Sequence, residues 1–260
     1  MCRLFAFSFH ADTVNNSKHS FVDSFIKLSE HGAVLPTSSP GHHDGWGIVS
    51  YSSSKDIAVH YKSVSSAHCD TQFRSDVLFK DSNSRSGLVH LRKKTVGETL
   101  IENTHPFVDG VYSFIHNGTI SHSGTYANLS AVCEGATDSE RLFRRFLEIK
   151  TIKGVNSQEA FSEMIHEVRN IHPEYSALNS ILHDGEHILV SRSINVHNKH
   201  HPEQELLDYY TLYVGNSTSG DVLITSEMLP GRDVRYTLLP NHSISCLTIA
   251  DNMLQTVVFA

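Results

Sequence analysis

The chain has 260 residues, enough to bury a sizeable core as one large domain or two small ones. Hydrophobic residues make up 39% and charged residues 19%, and 21 Lys plus Arg against 28 Asp plus Glu leave a net charge of −7. No basic block stands out, which argues against a nucleic-acid partner; no apolar run is long enough to span a bilayer; and four scattered cysteines with no C-x-x-C pair point to a reducing, cytoplasmic setting.

The first ten residues read as a strand rich in Phe and Leu. Their apolar part, Leu4 to Phe9, is too short for a secretory core, and Asp12 follows soon after. Residues 17–30 put Phe21, Val22, Phe25, Ile26 and Leu28 on one face, which predicts a helix capped by Ser17 and ended by Gly32. A Pro/Ser/Gly loop follows at 36–41. "DGWGIVSY" predicts a strand, with "DIAVHYK" as its hairpin partner. Buried strands are expected at 86–92 and 110–120, the second ending at the turn His116-Asn117-Gly118.

Two helices are expected next. The first spans 138–149, capped by Asp138 or Ser139, with Leu142, Phe143, Phe146 and Leu147 inward. The second spans 157–171, with Ala160, Phe161, Met164, Ile165, Val168 and Ile171 inward. Only strands are expected after that, at 177–183, 186–192, 210–215, 222–226, 244–249 and near 255–259. Asp184-Gly185 is the tight-turn signal between the first two. With no repeat or linker, the chain reads as a single α+β domain over 1–260, with antiparallel sheets carrying helices on their faces.

Histidine is abundant, at 19 copies, with pairs at His42-His43 and a cluster "HNKHH" at 197–201. "HNKHHPEQE" reads as a polar surface loop rather than a metal site, because no carboxylate or His sits at helical partner spacing in a convincing helix. Trp46, the only tryptophan, reads as core packing.

Cys2 raises a chemical question. Initiator methionine is normally trimmed before a small residue, and the mature chain would then carry a thiol and an α-amine on one residue. A thiol needs a base near pH 7. An α-amine with a pKa of about 7.7 is roughly one-sixth neutral there, whereas a free lysine is essentially all charged. The amine is therefore a usable base within reach of its own thiol. Three further motifs follow. "HLRKKTVGE" puts Arg92 at a strand end, with Thr95 and Gly97 in the loop beyond. "HNGTI" puts Asn117 and Gly118 at another strand end, and "TDSERLF" puts Asp138 at a helix start. Alone, each has a structural reading: a small hydrophobe, a solvated basic run, a turn, a cap.

In this order the motifs resemble the class II glutamine amidotransferase domain of the N-terminal-nucleophile hydrolases, from Cys2 through about Leu147. "DGWGI" at 44–48 and "ITSE" at 224–227 resemble its small stand-alone branch, which includes proteins acting on γ-glutamyl peptides and related thiols. The resemblance implies a four-layer αββα sandwich and no cofactor or metal. It implies Cys2 as nucleophile with its own amine as base, and Asn117 and Gly118 as oxyanion hole. Arg92 and Asp138 would hold the α-carboxylate and α-ammonium of a γ-glutamyl substrate, with Thr95 shaping the carboxylate pocket. Two departures are Lys94, where a small residue is expected, and Met228, where proline is common; Ser226-Glu227 has no role in this reading.

Glutamine or another γ-glutamyl compound is the expected small-molecule substrate. The single domain is expected to use up the chain, so any released ammonia goes to a separate synthase or to no acceptor. A non-catalytic binding subunit of the same fold is the competing reading, and the oligomeric state is open.

Overall fold

The computed structural model describes residues 2–10, 15–36, 38–52, 56–72, 84–120, 127–171, 174–197, 201–230 and 233–258. Strand β1 (Arg3–Ser8) sets the plan. Successive side chains on a strand point to opposite faces. Leu4 and Ala6 face one apolar cluster, and Phe5, Phe7 and Phe9 face another. Both faces are covered, so the strand is buried throughout.

The remaining strands are β2 (Trp46–Tyr51), β3 (Ile57–Ser63), β4 (Ser86–Leu91), β5 (Phe107–Asp109), β6 (Tyr112–Asn117), β7 (Asn179–His183), β8 (His187–Arg192), β9 (Tyr213–Ser217), β10 (Val222–Thr225), β11 (Val234–Leu238), β12 (Ser243–Thr248) and β13 (Met253–Val258). They form a seven-stranded sheet ordered β11-β9-β10-β1-β4-β2-β3 and a six-stranded sheet ordered β13-β12-β8-β7-β6-β5. The strand pairs are antiparallel.

The layers follow from which side chains share a cluster. Leu4, Val49 and Leu88 of one sheet pack against Ile115, Ile181 and Val190 of the other. The far face of the first sheet packs on helix α1 (Asn15–Ile26) through Val22, Phe25 and Ile26, with Phe5 stacked on Phe25 at 5.2 Å between ring centroids. On the far face of the second sheet, Phe114, Leu182 and Leu189 meet helices α3 (Asp138–Lys153) and α4 (Ser157–Ile171). The result is a four-layer αββα sandwich. Each fully buried Leu, Ile or Phe in it contributes roughly 1.5–3 kcal/mol.

Several expectations are corrected. The first helix begins at Asn15, before Ser17, and breaks at Lys27 into α1 and a short α2 (Leu28–His31) that does end at Gly32. The cap of α3 is Thr137, whose Oγ1 accepts from Glu140 N at 3.2 Å; the helix then runs on to Lys153. Helix α4 has the expected bounds, but Ile171 at its end is half exposed. Strands are not all that follows α4: α5 (Glu203–Tyr209) lies there, so the "PEQE" read as surface loop opens a helix. Strands β5 and β11 were also unforeseen. Residues 198–200 of the His-rich cluster lie outside the described residues.

Candidate active site

The two sheets meet at one end of the sandwich, where β1 begins and β6 ends. On β1, Leu4 and Ala6 face between the sheets, so Cys2 continues that side. On β6, Phe114 and His116 face α3, so Asn117 falls on the opposite side, toward Cys2. The Cys2 backbone nitrogen donates to Asn117 Oδ1 at 2.9 Å. The Cys2 thiol points at the carbonyl of Lys93, with Sγ 3.7 Å from that oxygen.

Residues 117–120 form the hub of the site. Asn117 meets Cys2. Thr119 Oγ1 lies 3.3 Å from Thr95 Oγ1, and Thr119 N donates to Ser176 Oγ at 2.9 Å. Ile120 N donates to Asp138 Oδ2 at 2.7 Å, which brings the first carboxylate of α3 to the same segment. Asn117 is 1% exposed, and its Nδ2 has no hydrogen-bond partner among the described residues. A buried amide donor without a partner is costly unless something occupies it.

Gly118 is needed for a reason the sequence did not show. A Cβ there would stand 1.9 Å from the carbonyl oxygen of Ala177 and 2.9 Å from His116 Nε2. The glycine thus keeps the hub against the segment that leads into β7.

Arg92 follows β4 and is buried. Its Nη1 donates to Glu98 O at 3.1 Å and its Nη2 to Val96 O at 3.2 Å, so the loop from Lys93 to Glu98 folds over the guanidinium. Gly97 turns that loop at φ +72°. Burial lowers the Arg92 pKa, while Cys2, Asp44 and Glu98 oppose the shift. The guanidinium thus lies within the electrostatic reach of Cys2. Two of its five N–H donors hold the loop. Asp44, from "DGWGI", accepts from Lys94 N at 2.8 Å, and Lys94 itself is exposed.

Sequence reasoning missed the histidines around this site. His90, His105 and His116 are buried, with His90 and His105 rings 4.1 Å apart. Burial pushes all three toward the neutral form, His90 down to about 3. His116 Nε2 sits 3.2 Å from Ala177 O, an acceptor, so Nε2 carries the proton and Nδ1 accepts from Ser139 Oγ at 2.9 Å. Tyr210, also missed, reaches Ser176 Oγ at 3.0 Å, and both Cys2 and Asp138 act on its hydroxyl.

Trp46 is fully buried in the outer cluster, as expected, with Nε1 donating to Asp70 Oδ2 at 3.0 Å. Among the described residues, no group of three or more His, Cys, Asp or Glu side chains is placed to hold a metal. No described helix is long and apolar enough to cross a membrane.

Comparison with known proteins shows the family. The family model of class-II glutamine amidotransferases matches residues 1–207. The chain belongs to the class II glutamine amidotransferases. It is 32% identical over 118 residues to a Haemophilus influenzae protein named as a glutamine amidotransferase, covering 42% of this chain and 40% of that protein. It is 30% identical over 155 residues to a Methanocaldococcus jannaschii protein, covering 58% of this chain and 42% of that one. The matched regions thus span under half of those two relatives. Among solved structures, a protein from Silicibacter pomeroyi described as a "glutamine aminotransferase class-II domain protein" matches at TM-score 0.61 and 16% identity, covering all of both chains. The glutamine phosphoribosylpyrophosphate amidotransferase of Bacillus subtilis matches at TM-score 0.67 and 13% identity, with all of this chain on 49% of that one. At these identities the structures speak for the fold alone, a four-layer αββα sandwich.

Proposed function

We propose that this amidotransferase domain hydrolyses the γ-amide of glutamine, or of a γ-glutamyl compound, through a thioester on Cys2. The observation that carries the reading is the Asn117 side chain: Oδ1 holds the Cys2 nitrogen at 2.9 Å, and Nδ2 is buried with no partner among the described residues. One amide group thus orients the base and offers a donor where negative charge would develop.

Removal of Met1 turns the Cys2 nitrogen into an amine. The thiol gives its proton to that amine as Sγ attacks the γ-carbonyl carbon. The carbonyl oxygen takes negative charge, facing Asn117 Nδ2 and the Gly118 N–H. The intermediate collapses, the C–N bond breaks, and the amine's proton goes to the leaving nitrogen. Water then adds to the thioester with the amine again as base, the C–S bond breaks, and the thiol is restored. The products are glutamate and ammonia, or an amine. Arg92 takes the α-carboxylate and Asp138 the α-ammonium, a complementary pair for a zwitterion. Thr95, tied to Thr119, lines the carboxylate side. The released nitrogen goes to a synthase or to solvent, and the chemistry needs no cofactor.

The test is glutamate release by the trimmed protein from glutamine and a panel of γ-glutamyl compounds. Release from at least one, abolished in Cys2→Ala, supports the reading. No release from any would overturn it.

A further inference from the structure

The pair Ser226-Glu227 lies just beyond β10, and the described contacts give it work. Ser226 extends the ladder beside the catalytic strand: its Oγ accepts from Leu4 N and its N donates to Leu4 O, both at 2.9 Å. Glu227 pairs with Arg3 Nε at 2.5 Å and accepts from Ala33 N at 2.7 Å. Arg3 is fully buried, an unusual place for a guanidinium. Its Nη1 donates to Cys2 O at 3.1 Å, its Nη2 to Ala33 O, and its plane lies 4.5 Å from the ring centre of Tyr209.

These contacts reach Cys2 from two sides. Arg3 holds the Cys2 carbonyl. Ala33 opens the loop that carries Ser39 and Gly41, and both of these accept from Lys93 Nζ. The Lys93 carbonyl in turn faces the Cys2 thiol. Arg92, Thr95 and Asp138 make none of these contacts, so the work of the set falls first on the nucleophile.

We propose that Arg3 and Glu227 are positioning residues that set where the Cys2 thiol and nitrogen stand relative to Asn117 and Lys93. This rests on Cys2 being the nucleophile. The pair is only half enclosed, with Arg3 fully buried and the Glu227 side chain 26% exposed; such a pair adds little net stability, because desolvation and solvent screening offset the attraction, and its replacement by neutral groups is often nearly neutral for folding. Geometry at the reacting atom is far less forgiving. The pair should therefore matter more for turnover than for stability.

The test uses the trimmed protein and the variant Arg3→Met/Glu227→Gln, which removes both charges together and leaves an acceptor for Ala33 N. Three quantities are read: the thermal midpoint, kcat and KM for glutamate release, and the rate of Cys2 alkylation by iodoacetamide relative to the exposed Cys69. The expected result is a kcat lower by about tenfold or more, KM within about twofold, and a Cys2-to-Cys69 ratio lower by about threefold or more, with a midpoint within a few degrees. An unchanged kcat with an unchanged alkylation ratio overturns the proposal, whatever the midpoint does. If the wild type releases no glutamate, the functional reading fails and the alkylation ratio alone decides the positioning role. Should the double variant not fold, Glu227→Gln alone is read in the same way.

Discussion

Asn117 Oδ1 accepts the backbone N–H of Cys2 at 2.9 Å, and this bond joins the two sheets where the first strand of one meets the last residue of a strand in the other. The other amide atom, Asn117 Nδ2, is buried with no hydrogen-bond partner among the described residues. Asn117→Ala removes both at once. The expected outcome is a kcat lower by about 10²–10³, with a much smaller change in KM, because the oxyanion exists only in the transition state. Steady-state kinetics decide it; a raised KM at unaltered kcat would assign Asn117 to ground-state binding.

Arg92 and Asp138 make the opposite prediction. Arg92→Lys keeps the charge and loses the fork, and Asp138→Asn keeps an acceptor for Ile120 N and loses the charge. Each should raise KM by about tenfold or more while the fold persists, since one charge-assisted contact to the substrate is worth roughly 1.5–3 kcal/mol. Binding of glutamate to the Cys2→Ala protein, measured calorimetrically, should weaken in parallel.

Gly118→Ala should destabilise by about 1–3 kcal/mol, because the new methyl runs into the Ala177 carbonyl oxygen and the backbone must move. Denaturant midpoints read the loss. Activity should fall with it, since the same shift displaces Asn117.

Acid should unfold the protein early. His183 stacks on Tyr51 at 3.7 Å between ring centroids; its Nδ1 accepts from Gly185 N, so Nε2 carries the proton and bonds Ser86 Oγ. Burial lowers its pKa from 6.5 to about 3. The unfolded chain therefore binds a proton that the folded one refuses between those values. Its stabilising contribution is complete above pH 6.5 and is lost as pH falls toward 3. Each such histidine contributes a slope of about 1.4 kcal/mol per pH unit within that window. His90 adds a second. Thermal midpoints should drop between pH 6 and 4, and His183→Phe should flatten that slope, in measurements at about one-unit pH steps.

The antiparallel α+β architecture was legible because its main elements carry strong apolar patterns; the four layers followed only from the family resemblance. Strands β1, β2 and β4 are apolar on both faces, and α4 shows a clean stripe from Ala160 to Val168. Weak patterns hid the rest. Helix α5 has seven residues and a polar start, β5 has three, and β11 is a half-exposed edge strand. Lys27 interrupts what looked like one helix, and nothing in the apolar spacing marks that break. At the candidate site, the residues of short motifs stood out: Cys2, Arg92, Thr95, Asn117, Gly118 and Asp138. Arg3 and Tyr209 did not, and Glu227 stood out in "ITSE" without a role, because the contacts of each join segments far apart in the chain. The packing reason for Gly118 lies in Ala177, 59 positions along, and no local pattern reports it.

The central claim is that Cys2, freed of Met1, is the nucleophile. The direct measurement is glutamate release from glutamine and γ-glutamyl compounds by three preparations: trimmed protein verified by intact mass, the same chain with an uncleavable N-terminal extension, and trimmed Cys2→Ser. The account predicts turnover in the first alone, and brief trapping of a γ-glutamyl adduct on Cys2 by mass spectrometry. Equal turnover in the extended or Cys2→Ser protein would contradict it.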